Sequence, residues 1–365
     1  MSTFDLIVVG AGIVGAACAD LAAAEGLRVA IVEPGSIGGG ATAASMGHLV
    51  VMDDDPAELA LSRYSQRLWE AYADLSEAEF SRCGTLWIAR DEREYTGIAA
   101  KIARLAQAGV VAEAIDASAL YELEPELTPG LAGGMLVAEE AVVYPPRVAE
   151  FLVKRAVTRH THLHLGRRVN ALTSNGVVLD DGTRLSGPVL VATGCALPEL
   201  LPMLSLRARK GHLVITDRYP AFVRHQLLEL GYADSAHGSE LTSVAFNVQP
   251  RPTGQVLIGS SREFDSSREV SMATVRRMLE RAFAFLPRLR DLQALRIWTG
   301  LRPTTPDGRP YLGAVPELRD VWVAAGHEGL GVTTAFASAR LVTDQLLGRR
   351  SAIDPAPYLP SRVLA

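Results

Sequence analysis

The chain has 365 residues, of which 48% are hydrophobic, and this suits two packed domains with a large core. Its formal net charge is −5, and its 36 basic and 41 acidic residues form no long blocks of one sign, so no nucleic-acid-binding surface is indicated. Cys18, Cys83 and Cys195 are far apart and form no CxxC pair, which argues against a disulfide framework and against a metal or iron–sulfur site.

The N-terminus enters a strand pattern directly, without the basic segment and cleavage site of a secretory signal peptide. No apolar run is long enough to span a bilayer, so we expect no transmembrane segment. We therefore expect a cytoplasmic protein, with peripheral attachment at the inner face of the membrane as an open alternative.

The first 33 residues predict a dinucleotide-binding unit. A β-branched run at residues 6–9 is typical of a buried parallel strand, residues 16–25 of a helix, and residues 28–32 of a second strand. Between the first strand and the helix lies the sequence GAGIVG, at residues 10–15. Such a glycine pattern alone can be an ordinary turn, but here the strand, helix, second strand and following acid are all in register.

Each glycine of this pattern has a physical role. Gly10 permits the tight turn after the strand, Gly12 lets a pyrophosphate approach the backbone, and Gly15 lets the helix pack closely on the strand. The N–H groups of the first helical turn then face the phosphates. Glu33 is placed to accept hydrogen bonds from ribose hydroxyls and would repel the 2′-phosphate of NADP, so FAD or NAD is favoured.

Residues 34–48 (PGSIGGGATAASMGH) are rich in small residues, whose backbone can approach a flat ligand closely. Residues 41–45 are typical of one helical turn. A flexible surface linker is the alternative, but the position directly after the nucleotide unit favours a loop that contacts the cofactor.

The middle of the chain alternates helices and strands. Asp55 and Pro56 predict the start of a helix. The alternating histidines of residues 160–164 could bind a metal, but a strand at the edge of the sheet is favoured because no carboxylate or cysteine is close in sequence. Residues 175–176 and 181–182 predict hairpin turns, and residues 188–196 predict a buried strand ending in a small-residue turn near the cofactor.

The last third begins with an antiparallel region at residues 207–216. Arg207, Arg209, Lys210 and His212 alternate on this strand and predict a solvated face or, as an alternative, a docking surface for another subunit. Residues 296–300 predict a strand and residues 301–313 a structured loop. A strand at residues 321–325 then ends at a glycine-rich helix start, so a second helix N-terminus is expected to point at the same cofactor.

Together these residues resemble the FAD-dependent D-amino-acid oxidase-like family, which includes glycine oxidase, sarcosine oxidase and D-amino-acid dehydrogenases. The resemblance rests on GAGIVG at 10–15 with Glu33, GGATAAS at 39–45, VATG at 191–194, GLRPTTPDG at 300–308, and AAGH at 324–327 with Gly329 and Gly331. Residues 43–48 and 51–54 are most similar to the FAD subunits of D-hydroxyproline dehydrogenase, opine oxidase and hydrogen cyanide synthase complexes.

The resemblance implies an α/β fold with a Rossmann-type, glutathione-reductase-like FAD-binding domain and an inserted antiparallel-sheet substrate domain. The FAD-binding domain is expected at residues 1–80, 141–205 and 297–365, and the substrate domain at residues 81–140 and 206–296. Non-covalent FAD binding is implied for Gly10, Gly12, Ile13, Val14, Gly15, Glu33, Pro34, Gly40, Ala41, Thr42, Ser45, Met46, Gly47, His48, Val169, Thr193, Gly194, Gly300, Arg302, Gly326, His327, Gly329, Leu330, Gly331, Val332 and Thr333.

The family oxidises a CH–NH bond of an amino acid to an imine, and Arg302 is by resemblance the residue that holds the substrate carboxylate. An Arg302 held instead by Asp307 of the same loop is the structural alternative. His48 and His327 are expected beside the flavin, where each contacts substrate or is a structural histidine; His48 is also a candidate catalytic residue. Asn247 stands where glycine oxidases have a substrate-binding tyrosine.

Other departures from the family pattern bear on the reaction. Gly329 replaces a second arginine of glycine oxidases, and Gly300 replaces the cysteine that links flavin covalently in sarcosine oxidases. Residues 254–261 hold no lysine for oxygen activation, which favours a dehydrogenase that passes electrons to partner subunits carrying flavin and iron–sulfur groups. A stand-alone oxidase that forms hydrogen peroxide, and a non-catalytic FAD electron-transfer subunit, are the alternatives.

Overall fold

The computed structural model describes residues 2–52, 55–231 and 242–364. Asp53 and Asp54, which contributed to the resemblance, lie outside the described residues. The strands are β1 (Ser2–Thr3), β2 (Leu6–Val9), β3 (Val29–Glu33), β4 (His48–Leu49), β5 (Thr85–Ala89), β6 (Glu113–Asp116), β7 (Gly133–Val137), β8 (Ala141–Val142), β9 (His162–Leu165), β10 (Val169–Thr173), β11 (Gly176–Leu179), β12 (Arg184–Ser186), β13 (Val189–Val191), β14 (Arg207–Arg218), β15 (Gln226–Glu229), β16 (Thr242–Pro250), β17 (Gln255–Glu263), β18 (Ala294–Thr304), β19 (Tyr311–Ala314) and β20 (Val321–Ala325).

The α-helices are α1 (Ile13–Ala24), α2 (Gly40–Ala43), α3 (Pro56–Trp69), α4 (Glu92–Thr96), α5 (Ile98–Gln107), α6 (Ala117–Leu123), α7 (Pro145–Thr158), α8 (Leu197–Leu200), α9 (Met272–Phe285) and α10 (Gly331–Leu346). Short 3₁₀ helices occur at Glu70–Tyr72, Ser76–Ala78, Gly194–Ala196, Pro287–Asp291, Ala356–Tyr358 and Pro360–Val363.

The first large sheet has the strand order β19-β20-β13-β2-β3-β9, and only β19 runs antiparallel to its neighbour. This confirms the predicted strand–helix–strand unit at the N-terminus. All four residues of β2 are buried, because helices α1, α3, α7 and α10 pack on one face of the sheet and a smaller sheet (β1-β12-β11-β10) packs on the other. Parallel strands end at a common edge, so the loops after β2, β3, β13 and β20 come together there.

The second large sheet has the order β18-β14-β17-β16-β15-β5-β7-β6, with every pairing antiparallel except that of β15 with β5. Helix α9 packs on one of its faces, where Phe285 stacks on Phe246 with ring centroids 4.2 Å apart. The Rossmann-type sheet and the mainly antiparallel sheet form the two-part α/β architecture expected from the resemblance.

Strand β18 corrects the prediction of a loop beginning at residue 301. It extends to Thr304 because β14 pairs with it continuously from Arg207 opposite Thr304 to Ile215 opposite Arg296. Pro303 is tolerated since β18 lies at the edge of the sheet, where a missing N–H need not meet a partner. The expected domain boundary between residues 296 and 297 falls inside this strand.

Several smaller predictions are also resolved. The histidine-rich segment forms β9, an edge strand paired with β3, and the two predicted hairpin turns join β10 to β11 and β11 to β12. Asp55 caps α3 by accepting hydrogen bonds from the backbone of Ala57 and Glu58.

Among the described residues, no group of three or more His, Cys, Asp or Glu side chains is placed to hold a metal ion, and no helix could cross a membrane.

Candidate functional site

A cavity of about 450 Å³ lies between the two large sheets. Every residue predicted to bind cofactor or substrate lines it, with the exception of Thr333. Thr333 is buried at the start of α10, where its hydroxyl donates to the carbonyl oxygen of His48 at 2.8 Å and accepts from the N–H of Val50 at 3.3 Å. It therefore supports the segment that carries His48 rather than facing the cavity.

The glycines of the first loop fit the roles predicted from their spacing. Gly10 has a φ of +106°, and a Cβ there would lie 2.6 Å from the carbonyl oxygen of Ala192. A Cβ on Gly15 would lie 2.0 Å from the carbonyl oxygen of Gly10, so any larger residue would push α1 off the strand. The contact between helix and strand thus depends on this glycine.

The start of α1 is open to an anionic ligand. Its N-cap residue is Gly12, which has no side chain to accept from the first-turn N–H groups, and the first turn holds no acidic residue. The N–H of Ile13 donates to the Thr42 hydroxyl at 3.0 Å, which ties the predicted cofactor loop to the helix start. Free N–H groups and the helix dipole favour a phosphate at this end of the cavity.

Glu33 follows β3 at the same edge. Its two carboxylate oxygens accept hydrogen bonds from the backbone N–H groups of Ala11 and Gly35, each at 2.8 Å. The carboxylate therefore joins the glycine loop to the start of the second loop, in the position predicted for ribose recognition.

A second helix N-terminus faces the cavity from the far end of the chain. Helix α10 begins at Gly331 after a loop that lines the cavity, and it has neither a side-chain cap nor an acidic residue in its first turn. The predicted convergence of two helix starts on one cavity is confirmed. The glycine cradle and the two uncapped helices fit a dinucleotide with a ring system at its other end.

Arg302 lies on β18, with its guanidinium above Gly211 of the neighbouring β14. A Cβ on Gly211 would lie only 2.4 Å from Nη1 and 2.5 Å from Nη2 of Arg302. Nη1 donates to the carbonyl oxygen of Ser261 at 2.9 Å. The guanidinium thus lies flat against the sheet at the cavity wall.

Asp307 is not the partner of Arg302. Its two carboxylate oxygens accept from Arg362, from Nε at 2.7 Å and from Nη2 at 3.0 Å. The alternative in which these two residues of one predicted loop hold each other is therefore wrong, because the extended β18 places Arg302 on the sheet while Asp307 lies in the following turn.

The two histidines differ in their surroundings. Burial, with a smaller contribution from the positive charge of Arg302, lowers the pKa of His48 to about 4, against the opposing effect of a hydrogen bond with Gln249. Its Nε2 is buried and has no hydrogen-bond partner among the described residues. His327 is 6% exposed, and its Nε2 lies 2.9 Å from the Ser338 hydroxyl on α10. Burial lowers the pKa of His327 to about 4, so both rings are neutral near pH 7.

Asn247 contributes another unpartnered polar atom. It lies on β16 at the cavity wall and is 2% exposed, and its Oδ1 has no hydrogen-bond partner among the described residues. Buried polar atoms without partners are costly, and His48 Nε2 and Asn247 Oδ1 are two such atoms in residues that line the cavity.

Sequence reasoning missed a buried charge cluster beside Arg302. Glu328 Oε1 lies 3.2 Å from Nη1 of Arg209 and 3.4 Å from Nε of Arg262. Arg262 and Glu328 line the cavity. These residues come from β14, β17 and the loop before α10, and no local pattern links segments so far apart in sequence.

The predicted solvated face on β14 is also wrong. Arg207 is exposed as predicted, but Arg209, Lys210 and His212 are 6%, 3% and 0% exposed. Lys210 pairs with Glu263 at 3.3 Å and with Asp265 at 2.5 Å. Alternation on a strand shows which residues share a face, but not whether that face is covered.

Comparison with known proteins identifies the family. A sequence profile for the FAD dependent oxidoreductases matches residues 5–345. The chain belongs to this family. Its cofactor is therefore FAD, in agreement with the glycine cradle, and it is an FAD-dependent oxidoreductase of the amino-acid-oxidising type.

Individual relatives agree with this assignment. The chain is 31% identical to a glycine oxidase of Pseudomonas aeruginosa over 98% of each chain. It is 28% identical to a D-amino acid dehydrogenase of Allorhizobium ampelinum over 77% of this chain and 67% of the relative. Its structure is similar to that of glycine oxidase from Geobacillus kaustophilus, with a TM-score of 0.87, 27% identity and 99% of each chain covered.

Proposed function

We propose that the protein oxidises the CH–NH bond of a secondary or cyclic amino acid, with D-hydroxyproline as the best candidate, and passes the electrons to a partner subunit. FAD, when bound, would supply the two-electron acceptor for conversion of CH–NH to C=N, in which the α-carbon loses a hydride and the nitrogen loses a proton to solvent. The residues of this chain bind the amino acid, orient it and exclude water.

The observation that carries the proposal is the position of Arg302. Its guanidinium lies at the cavity wall, restrained by the Ser261 carbonyl and by contact with Gly211. A planar guanidinium can hold a carboxylate through two parallel hydrogen bonds, which fixes the orientation of the amino acid as well as its position. Holding the reacting groups in a fixed orientation lowers the barrier to reaction.

Two further polar atoms favour a substrate with a group beyond the carboxylate and the amine. His48 and Asn247 line the cavity, and His48 Nε2 and Asn247 Oδ1 have no hydrogen-bond partner among the described residues. A hydroxyl group can satisfy them as both donor and acceptor, and His48 remains neutral because its pKa is lowered to about 4. A hydroxylated cyclic amino acid meets these requirements better than glycine does.

Anaerobic reduction tests the substrate. Cis-4-hydroxy-D-proline should bleach the flavin absorbance of the holoenzyme, and D-proline, which lacks the hydroxyl, should do so more slowly. In the Asn247→Leu variant the difference between the two compounds should shrink. Unchanged flavin absorbance with cis-4-hydroxy-D-proline would remove it as the substrate.

The side chains near the cavity favour transfer to a partner over reaction with oxygen. The chain has three lysines, all in the described part, and none lines the cavity. Lys210 pairs with Asp265, and Lys101 lies 4.8 Å from the centroid of the Trp87 ring. No lysine is therefore in place to activate oxygen.

A stand-alone oxidase that forms hydrogen peroxide is the second candidate, since the similarity to glycine oxidase spans nearly the whole chain. The peroxide yield in air, without an acceptor dye, separates the two. One peroxide per imine formed at full rate supports the oxidase, whereas turnover only with an added acceptor supports the dehydrogenase. If turnover of a complex survived Arg302→Ala unchanged, the chain would instead be a non-catalytic electron-transfer subunit.

A further inference from the structure

Two buried residues lie behind Arg302 without lining the cavity. His212 of β14 and Ser261 of β17 are 0% and 1% exposed. The backbone N–H of His212 and its ring Nδ1 both lie 2.9 Å from the Ser261 hydroxyl oxygen. His212 thus contacts the Ser261 hydroxyl through two separate groups, its backbone N–H and its imidazole ring.

The tautomer of His212 follows from its other contact. The backbone N–H of Ser271 points at Nε2 of the ring at 3.0 Å. An amide N–H can only donate, so Nε2 must accept and the ring proton must lie on Nδ1. Burial lowers the pKa of His212, so this neutral form is favoured near pH 7. Nδ1–H therefore donates to the Ser261 hydroxyl.

Ser261 in turn touches Arg302. Its carbonyl oxygen accepts from Nη1 of Arg302 at 2.9 Å. A carbonyl held in place limits rotation of the guanidinium, and a clamp for a carboxylate requires a fixed rotation. The Ser271 backbone thus bonds His212 and His212 bonds the Ser261 side chain, while the backbone carbonyl of the same serine bonds Arg302.

We propose that His212 is a positioning residue, which orients Arg302 for carboxylate binding by fixing Ser261. The proposal rests on the proposed role of Arg302 as the substrate anchor. It assigns a function to a buried histidine that contacts neither the cavity nor the substrate.

Binding of an unreactive ligand provides the test, with pyrrole-2-carboxylate as the probe and its neutral amide, pyrrole-2-carboxamide, as the matched control ligand. Dissociation constants are measured on the holoenzyme from the change in the flavin spectrum. His212→Leu and Ser261→Ala should each weaken binding of the carboxylate about three- to tenfold, the range expected for one lost hydrogen bond. Binding of the amide should not change.

A control on the same strand separates positioning from general damage. Thr216 is buried on β14, and its hydroxyl accepts from the backbone N–H of Val256 at 3.0 Å. Thr216→Val removes a comparable buried hydrogen bond without touching Arg302, so it should leave the affinity for pyrrole-2-carboxylate unchanged. His212→Asn, which keeps a donor near the position of Nδ1, should restore most of the affinity lost in His212→Leu.

Variants of Arg302 separate the positioning role of His212 from the role of Arg302 as the substrate anchor. If His212 acts through Arg302, then His212→Leu should weaken carboxylate binding no further once Arg302→Lys is present. Wild-type affinity in both His212→Leu and Ser261→Ala, with carboxylate preference lost in Arg302→Ala, would overturn the positioning role alone. Wild-type carboxylate affinity in Arg302→Ala would overturn the role of Arg302 itself.

Discussion

Gly211→Ala is expected to impair substrate binding without unfolding the protein. The added Cβ would lie 2.4 Å from Nη1, 2.5 Å from Nη2 and 2.7 Å from Cζ of Arg302. Ordinary contacts begin near 3.4 Å, so the guanidinium must move by about 1 Å. It is the far end of a flexible side chain and can yield, and the φ of Gly211 lies outside the left-handed region, so the fold should tolerate alanine.

The size of the expected fall in kcat/KM follows from how strongly reaction rates depend on the position of the groups that orient the substrate. A displacement of about 1 Å in a positioning group can cost about 100-fold in rate. We therefore expect kcat/KM to fall by up to about two orders of magnitude, with KM raised and the melting temperature nearly unchanged. The assay is the rate of anaerobic flavin reduction at several concentrations of the amino acid.

Gly97→Ala is the matched control. Gly97 is exposed between α4 and α5, far from the cavity lining, with a φ of −71° that alanine adopts readily. Its kinetics should equal those of the wild type. Wild-type KM and reduction rate in Gly211→Ala would refute the assignment of Arg302 as the group that orients the substrate.

Three further outcomes follow from other contacts. Gly15→Ala places a Cβ 2.0 Å from the Gly10 carbonyl oxygen, so it should lower FAD occupancy sharply, as read from the ratio of flavin to protein absorbance. Burial lowers the pKa of His327 from 6.5 to about 4, so its neutral form contributes stability that is complete above pH 6.5 and lost as the pH falls towards 4. This loss amounts to roughly 3 kcal/mol, and His327→Gln should remove it from the pH dependence of unfolding. Asp20, 4% exposed, accepts from Arg155 at 2.5 Å, and Asp20→Asn should destabilise the fold by about 3 kcal/mol in denaturant titrations.

The N-terminal nucleotide unit could be predicted from local pattern alone. The turn at Gly10, the packing at Gly15 and the carboxylate of Glu33 all lie within 33 residues, and the spacing of each is set by one strand, one helix and one strand. Parallel strands joined by a helix have few possible arrangements, so residue type and spacing determine the geometry.

The surroundings of Arg302 could not be predicted in this way. The motif identified the residue, but its partner depends on how far β18 pairs with β14, and that pairing joins segments about 90 residues apart. Arg209 and His212 are also buried, although the strand pattern alone indicated them as solvated. Strand pairing over such distances is decided by packing of the whole sheet, which a local pattern does not record.

The sequence by itself determined the family, the cofactor and many residues that line the cavity, although not Arg262 or Glu328, because glycine spacing and the ordered motifs encode close backbone approach to a dinucleotide. Only the tertiary structure decided the contacts of those residues. The Ser261 carbonyl restrains Arg302, Asp307 pairs with Arg362 instead, and His48 and Asn247 each hold a buried polar atom without a partner among the described residues. These features depend on contacts between distant strands, whose geometry exists only once the two sheets have packed together.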